Sequence, residues 1–242
     1  MIFLKVRAEK MLIDLGANLL PGFVAGSKNI EESVERMRTL YSAGIAAAVL
    51  TPRYYPAKMS VEEFVDLRSR VLANFSENMP KRSPILYLGS EVYIDERLKY
   101  ISTLGKLAVM GTRTIIADMP DGVWETALLD TLDAIRMADY DLLITHIDRY
   151  PEQYVKDLFK LGHKALLDVS AFSGMANLMR RKQFLSWIDE GNVVGLAGNF
   201  IAEEKRAHEK IMKIHEILGD ERSSRLAESS ARYLSGAIQF AK

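Results

Sequence analysis

Short apolar runs and longer amphipathic segments alternate along the whole chain. Runs rich in β-branched and aliphatic residues fall at Leu12–Leu15, Ala46–Leu50, Ile85–Leu88, Thr114–Ala117, Leu142–Thr145, Ala165–Val169 and Val193–Ala197. Each is short enough for a buried strand and is followed by helical spacing. Asn29 with Glu32 three residues on, and Ser60 with Glu63, stand as N-cap and capping-box pairs ahead of apolar stripes. Gly44 marks the end of the first helix. Further helices are expected at Trp124–Met137, Glu152–Leu161, Leu178–Asp189, Glu203–Leu218 and Ser223–Ile238. About seven strand–helix units imply parallel βαβ connectivity, hence a closed or nearly closed barrel, with a doubly wound open sheet as the alternative. No linker divides the chain, so residues 1–242 are read as one domain.

Parallel α/β folds place their chemistry on loops after the strands. That rule collects Gly16–Gly26, Thr51-Pro52-Arg53, Gly89-Ser90-Glu91, Asp118-Met119-Pro120, His146–Tyr150, Ser170–Gly174 and Gly198–Ile201. Carboxylates, a histidine and arginines thus meet on one face, as a site for an anion requires.

Composition narrows the chemistry. The 242 residues carry 32 basic and 32 acidic side chains, so no global charge draws the protein to nucleic acid or a membrane surface. The absence of cysteine removes disulfides, thiolate nucleophiles and cysteine-based zinc sites. Lys5, Arg7, Glu9 and Lys10 interrupt the apolar N-terminal stretch, and no run is long enough to span a bilayer. A cytoplasmic protein without membrane insertion is expected. No phosphate loop, dinucleotide glycine pattern or serine elbow is present.

The strand ends resemble those of the bacterial polysaccharide-associated tyrosine phosphatases of the polymerase-and-histidinol-phosphatase (PHP) superfamily. The pattern I-D-x-H-x-H-x-L-P-G corresponds to Ile13–Gly22, A-T-P-H to Leu50–Arg53, and G-x-E to Gly89-Ser90-Glu91. E-F-P corresponds to Asp118-Met119-Pro120, A-H-P-E-R-Y to Thr145–Tyr150, and S-D-x-H to Gly198–Ile201. The resemblance implies a distorted (β/α)7 TIM-like barrel, a cluster of divalent metals (manganese in that family), and hydrolysis of phosphotyrosine on tyrosine kinases that control capsule or exopolysaccharide export. It also implies where this chain departs. Gly16 and Asn18 replace a histidine pair, Val24 and Ala25 an aspartate pair, Arg53 a histidine, and Asn199 and Ile201 the last Asp and His. Glu91, Asp118 and His146 keep ligand chemistry, enough for one manganese or other divalent ion in good geometry. Arg149, and Arg206 at the family's spacing, match phosphate-contacting arginines; Arg53 adds a third cation.

Three readings follow. In the first, a metal-depleted homologue, weakly active or inactive, binds a phosphorylated protein (such as a tyrosine kinase) or a small anion through Arg53, Arg149 and Arg206. In the second, Glu91, Asp118 and His146 hold one catalytic metal. In the third, the barrel is an interaction or oligomerisation module, its old ligand loops filled by Phe23, Val24, Phe200 and Ile201. Asp14 is expected to make a structural hydrogen bond. His208 and His215 lie about 10 Å apart along a helix, too far for shared chelation, and are expected on a solvated face. His163 has no partner identifiable from the sequence. Arg180-Arg181-Lys182 is expected to be solvated, and Met175, Met179 and Trp187 to be core.

Overall fold

The computed structural model of the chain describes residues 12–24, 26–173, 175–198 and 207–240. Helix α1 (Ile30–Ser42) begins as its cap predicts: Asn29 is extended and its Oδ1 accepts from Glu32 N at 2.9 Å. The Glu32 carboxylate reaches one residue further back than a capping box, accepting from Lys28 N. Helix α2 (Val61–Glu77) completes the box, with Ser60 N donating to Glu63 Oε2 and Glu63 N to Ser60 Oγ.

The strands are β1 (Leu12–Ala17), β2 (Ile45–Leu50), β3 (Arg53–Tyr54), β4 (Ile85–Leu88), β5 (Glu91–Tyr93), β6 (Thr114–Asp118), β7 (Asp141–Ile144), β8 (Lys164–Asp168), β9 (Val193–Ala197) and β10 (Gln239–Phe240). The second and third strand units are each interrupted. β2 pairs with β4 and β3 with β5, so β2–β3 and β4–β5 behave as two broken strands lying side by side. β5 then pairs with β6, β6 with β7, β7 with β8, β8 with β9, and β9 with β1, which returns to β2; every pair is parallel. Seven strand units therefore form a TIM-like barrel that closes at its C-terminal end. At the other end β4 turns away and takes β10 as an antiparallel neighbour. That strand and the two breaks are absent from the apolar pattern. Arg68, 4% exposed, pins the break in the third unit: its guanidinium donates to Gly89 O, Ser90 Oγ and Lys106 O.

The barrel interior is a small apolar cluster including Leu15, Val49, Ile116, Leu143 and Leu166, one residue from each of five strands, stoppered by Leu234. A larger core fills the space between sheet and helices. Helices α3 (Thr126–Met137), α4 (Glu152–Lys160), α5 (Met175–Asp189) and α6 (Ala207–Tyr233) follow their strands. α3 starts later than expected because Trp124 donates Nε1–H to Pro120 O and stacks on Tyr154. The last two expected helices run together as α6, kinked at Gly219 (φ 72°, ψ 170°) and ending at Tyr233, five residues before Ile238. Gly236 (φ 85°) turns the chain into β10.

Three surface expectations are corrected. Met179 is 89% exposed and not core, whereas Trp187 is buried against Phe159 and Phe184; the Met175 side chain lies outside the described residues. His215 is half-buried, its Nδ1 3.2 Å from Ser223 Oγ across the Gly219 kink, and not on a solvated face. Arg180 is half-buried and donates to Asp148 O at 2.7 Å. His163 is buried, and its Nε2 has no hydrogen-bond partner among the described residues. No helix among the described residues is long and apolar enough to cross a membrane.

Candidate functional site

Arg53 and Glu91 are register partners on β3 and β5, so the strand breaks themselves set these two side chains opposite one another. Arg53 Nε lies 2.7 Å from Glu91 Oε1, a close ion pair whose N–H is not aligned as a hydrogen bond. Arg53 Nη2 lies 3.2 Å from His146 Nε2, which is itself 3.4 Å from Glu91 Oε1. The guanidinium thus touches both Glu91 and His146. Asn18, at the end of the β1 unit, donates Nδ2–H to the other Glu91 oxygen at 3.5 Å.

His146 follows β7 in a left-handed conformation (φ 55°, ψ 34°), one of only two non-glycine positive-φ residues among those described. The backbone turns there, and Arg149 N donates to His146 O to bring Arg149 back over the strand ends. His146 Nδ1 lies 3.2 Å from Asp168 Oδ2, and Arg149 Nη2 lies 3.3 Å from the same oxygen. Asp168 is fully buried at the end of β8; its Oδ1 accepts from Ser170 N, and its own N–H donates to Asp148 Oδ1. Asp118, at the end of β6, is half-buried and accepts from Tyr150 OH at 3.3 Å. A continuous run of alternating charge results: Arg53, Glu91, His146, Asp168, Arg149.

Electrostatics follow from this packing. Burial alone would lower the His146 imidazole, but its contacts with Asp168 and Glu91 prevail and push it up to about 9. Burial works against ionised Glu91 and Asp168 too, yet the His146 contacts hold both below the usual carboxylate range, with Arg53 assisting at Glu91. Asp118 is raised by burial and by the Glu91 charge. Asp14 is raised to about 7 by burial, although its Oδ1 accepts from Gly16 N and Gly198 N. Its role is the structural hydrogen bond expected of it: it ties β1 to the end of β9.

Glu91, Asp118 and His146 come together as expected, each offering a ligand atom within 4.8 Å of the others. Arg149 is 44% exposed and shares their face, while Arg53 is 18% exposed. A Cβ added at Gly16 would stand 2.7 Å from Ala197 Cβ, so that position is closed even to a methyl group. Ala25, Asn199, Phe200, Ile201 and Arg206 lie outside the described residues. Phe23 packs edge-on against Phe64, and Val24 is half exposed. Sequence reasoning missed Asp168, the carboxylate between His146 and Arg149. A lone acid closing the apolar run Ala165-Leu166-Leu167-Asp168 was its signal.

The barrel with titratable groups at its C-terminal strand ends defines the class. The family model for capsular polysaccharide synthesis proteins CpsB/CapC matches residues 12–231, and the chain belongs to that family. Among solved structures it is similar to one from the study of YwqE from Bacillus subtilis and CpsB from Streptococcus pneumoniae, described as unique metal-dependent tyrosine phosphatases. The TM-score is 0.71 at 17% identity, covering 96% of this chain and 97% of that one. It is also similar to a probable 2-pyrone-4,6-dicarboxylic acid hydrolase from Acinetobacter baumannii (TM-score 0.51, 10% identity, 94% and 99% covered). A TatD-like protein from Archaeoglobus fulgidus gives a TM-score of 0.50 at 13% identity, with 93% and 99% covered. No curated protein sequence matches.

Proposed function

We propose that this chain is a CpsB/CapC homologue in which side-chain charge has replaced the metal centre. On this reading it binds a phosphorylated or otherwise anionic ligand at the strand ends and hydrolyses it weakly or not at all. The observation that carries the reading is the Arg53 guanidinium, in contact with Glu91 and His146 at 2.7 and 3.2 Å. Those are two of the three candidate ligands, and the fixed cation neutralises the charge that a divalent ion would need. Gly16 supports it from a second side, because a histidine at that position has no room beside Ala197. A multinuclear cluster does not fit these residues.

The remaining groups suit an anion. Arg149 presents a half-exposed guanidinium tethered by one contact to Asp168, leaving other N–H groups for a phosphate or carboxylate. Tyr55, just after β3, and Tyr93, on β5, have ring centroids 5.5 Å apart on the Arg53 and Glu91 strands. By analogy with the tyrosine phosphatases of this fold, the ligand is a phosphotyrosine segment, with a bacterial tyrosine kinase of capsule export as its source. The setting is the cytoplasm.

Elemental analysis of purified protein and turnover of p-nitrophenyl phosphate with added manganese test the reading together. Metal far below stoichiometric and no manganese-stimulated turnover are expected. Robust manganese-dependent turnover that disappears in Glu91→Ala overturns it.

One observation favours a second reading. Asp168 stands at Nδ1 of His146 and leaves Nε2 facing Glu91, as a metal-ligating histidine is held. A single ion on Glu91, Asp118 and His146 would then support phosphoester hydrolysis. About one equivalent of bound metal, abolished by His146→Ala, would select this reading.

A further inference from the structure

At the end of the barrel opposite the strand-end site, the second half of α6 lies across the starts of the strands. Ser230 Oγ donates to Val194 O and Thr114 Oγ1 to Tyr233 O, fixing the helix there. Between helix and barrel rim lies a cavity of about 690 Å³. That volume is in the range of small-molecule sites.

Its lining is one-sided in charge. Arg113 comes from the lead-in to β6, Lys164 from the first residue of β8, and Arg225 and Arg232 from α6; Asp141 is the one carboxylate. In a chain with equal numbers of acids and bases, four cations from three parts of the sequence meet against a single acid. Two of the four are occupied. Arg113 is held by Asp139 and by the face of Tyr140, and Arg225 by Asp189 and Glu221. The other two are not. Among the described residues Lys164 has no ion pair, and the guanidinium of Arg232 has one hydrogen bond, donated to Ser229 Oγ at 3.0 Å. Like charges drawn into a partly enclosed space repel one another unless an anion joins them, and low-dielectric walls strengthen the field that attracts it.

The two unpaired cations set the ligand's charge. Lys164 at the start of β8 and Arg232 on α6 line the same cavity, so the fold brings two positive charges from separate elements to one space. A ligand with more than one negative charge answers both. We propose that this cavity binds a small anion with at least two negative charges, of the condensed-phosphate class. Lys164 and Arg232 supply the free cations, and Ser229 and Tyr233 the hydroxyl donors. This site is independent of the strand-end anion site proposed above.

Calorimetric titration of the full chain with sodium tripolyphosphate at low salt tests it. One saturable site is expected, weakened about tenfold or more by Lys164→Gln with Arg232→Gln and unchanged by Arg149→Gln. Both replaced side chains are at least partly exposed, so circular dichroism should report an unaltered fold. If the double variant does not fold, each single variant is titrated in its place and should lose affinity. Absence of saturable binding overturns the proposal. So does binding that survives the Lys164 and Arg232 changes, or binding lost with Arg149→Gln, which would assign the anion to the strand ends.

Discussion

The two ends of this barrel handle charge in opposite ways. At the C-terminal end, Arg53, His146 and Arg149 contact Glu91 and Asp168, with Asp118 beside them held by Tyr150. At the N-terminal end, Arg113 and Arg225 are paired with Asp139, Asp189 and Glu221, while Lys164 and Arg232 line the cavity with no ion pair among the described residues. The fold's usual chemical face is the self-neutralised one, and the face normally devoted to stability carries the two unpaired cations. Buried opposite charges in contact leave little demand for an external ion. Unpaired cations in an open cavity create that demand. On the proposed reading, metal ligands given up at one end need not mean loss of charge-driven recognition elsewhere.

The largest expected effect comes from breaking the balanced end. Glu91 is 2% exposed and touches Arg53, His146 and Asn18. Glu91→Ala leaves a buried guanidinium and an imidazolium facing each other, and should cost about 3–5 kcal/mol of folding stability in urea unfolding. A loss below about 1 kcal/mol would mean that Arg53 swings out to water and that the metal-replacement reading is wrong. Truncations at the opposite end should cost much less, since Lys164 gives up no ion pair among the described residues.

A pH profile sharpens the contrast further. Asp14 has its carboxyl raised from 3.8 to about 7, so the folded chain holds a proton that the unfolded chain has released. Its contribution is full below the ordinary carboxylate value and falls as pH rises to about 7, at about 1.4 kcal/mol per pH unit. His146 has its imidazole raised to about 9; its contribution is full below the ordinary value of 6.5 and is lost as pH rises through 9. Asp14→Asn keeps an oxygen for Gly16 N and Gly198 N while removing the ionisable group. Denaturation at several pH values should show the decline below pH 7 flattened, with the decline towards pH 9 retained. An unchanged profile would place the Asp14 carboxyl near its ordinary value, with water reaching it.

Much of the architecture was legible because strands and helices write opposite periods into a chain. Asn29, Ser60 and the seven apolar runs placed most units within a few residues. The breaks after Leu50 and Leu88 were not, because a strand that changes partners keeps its apolar pattern; Arg68, a charged residue in a helix, carries the pin for the second one. β10 escaped notice because two residues are too few to show alternation. At the site, the strand-end rule brought Glu91, Asp118, His146, Arg53 and Arg149 together correctly. It did not reveal which of them touch, since contact depends on register and on the left-handed turn at His146. Asp168 was missed by reading the sixth strand one residue too far, which hid a strand-end acid inside a strand. The basic cavity was unreadable for a different reason: its cations are far apart in sequence and converge only where α6 crosses the barrel floor.

The smallest expected stability change, and the finest test of the comparison, is at Arg149. Its guanidinium is 44% exposed and reaches Asp168 from outside the buried cluster. Half-exposed ion pairs contribute little, so Arg149→Gln should cost at most about 1 kcal/mol, against several for Glu91→Ala. Asp168 retains Ser170 N and His146 Nδ1, so the cluster should survive the change. Affinity should respond differently from stability. If Arg149 is the exposed cation that greets a phosphotyrosine peptide, Arg149→Gln should weaken that complex about tenfold while leaving tripolyphosphate binding at the other end unaltered. A fluorescence titration with labelled phosphopeptide reads the first effect and calorimetry the second. Equal affinity for wild type and variant would remove Arg149 from the ligand's path and leave Arg53 as the described cation through which the strand-end face could act.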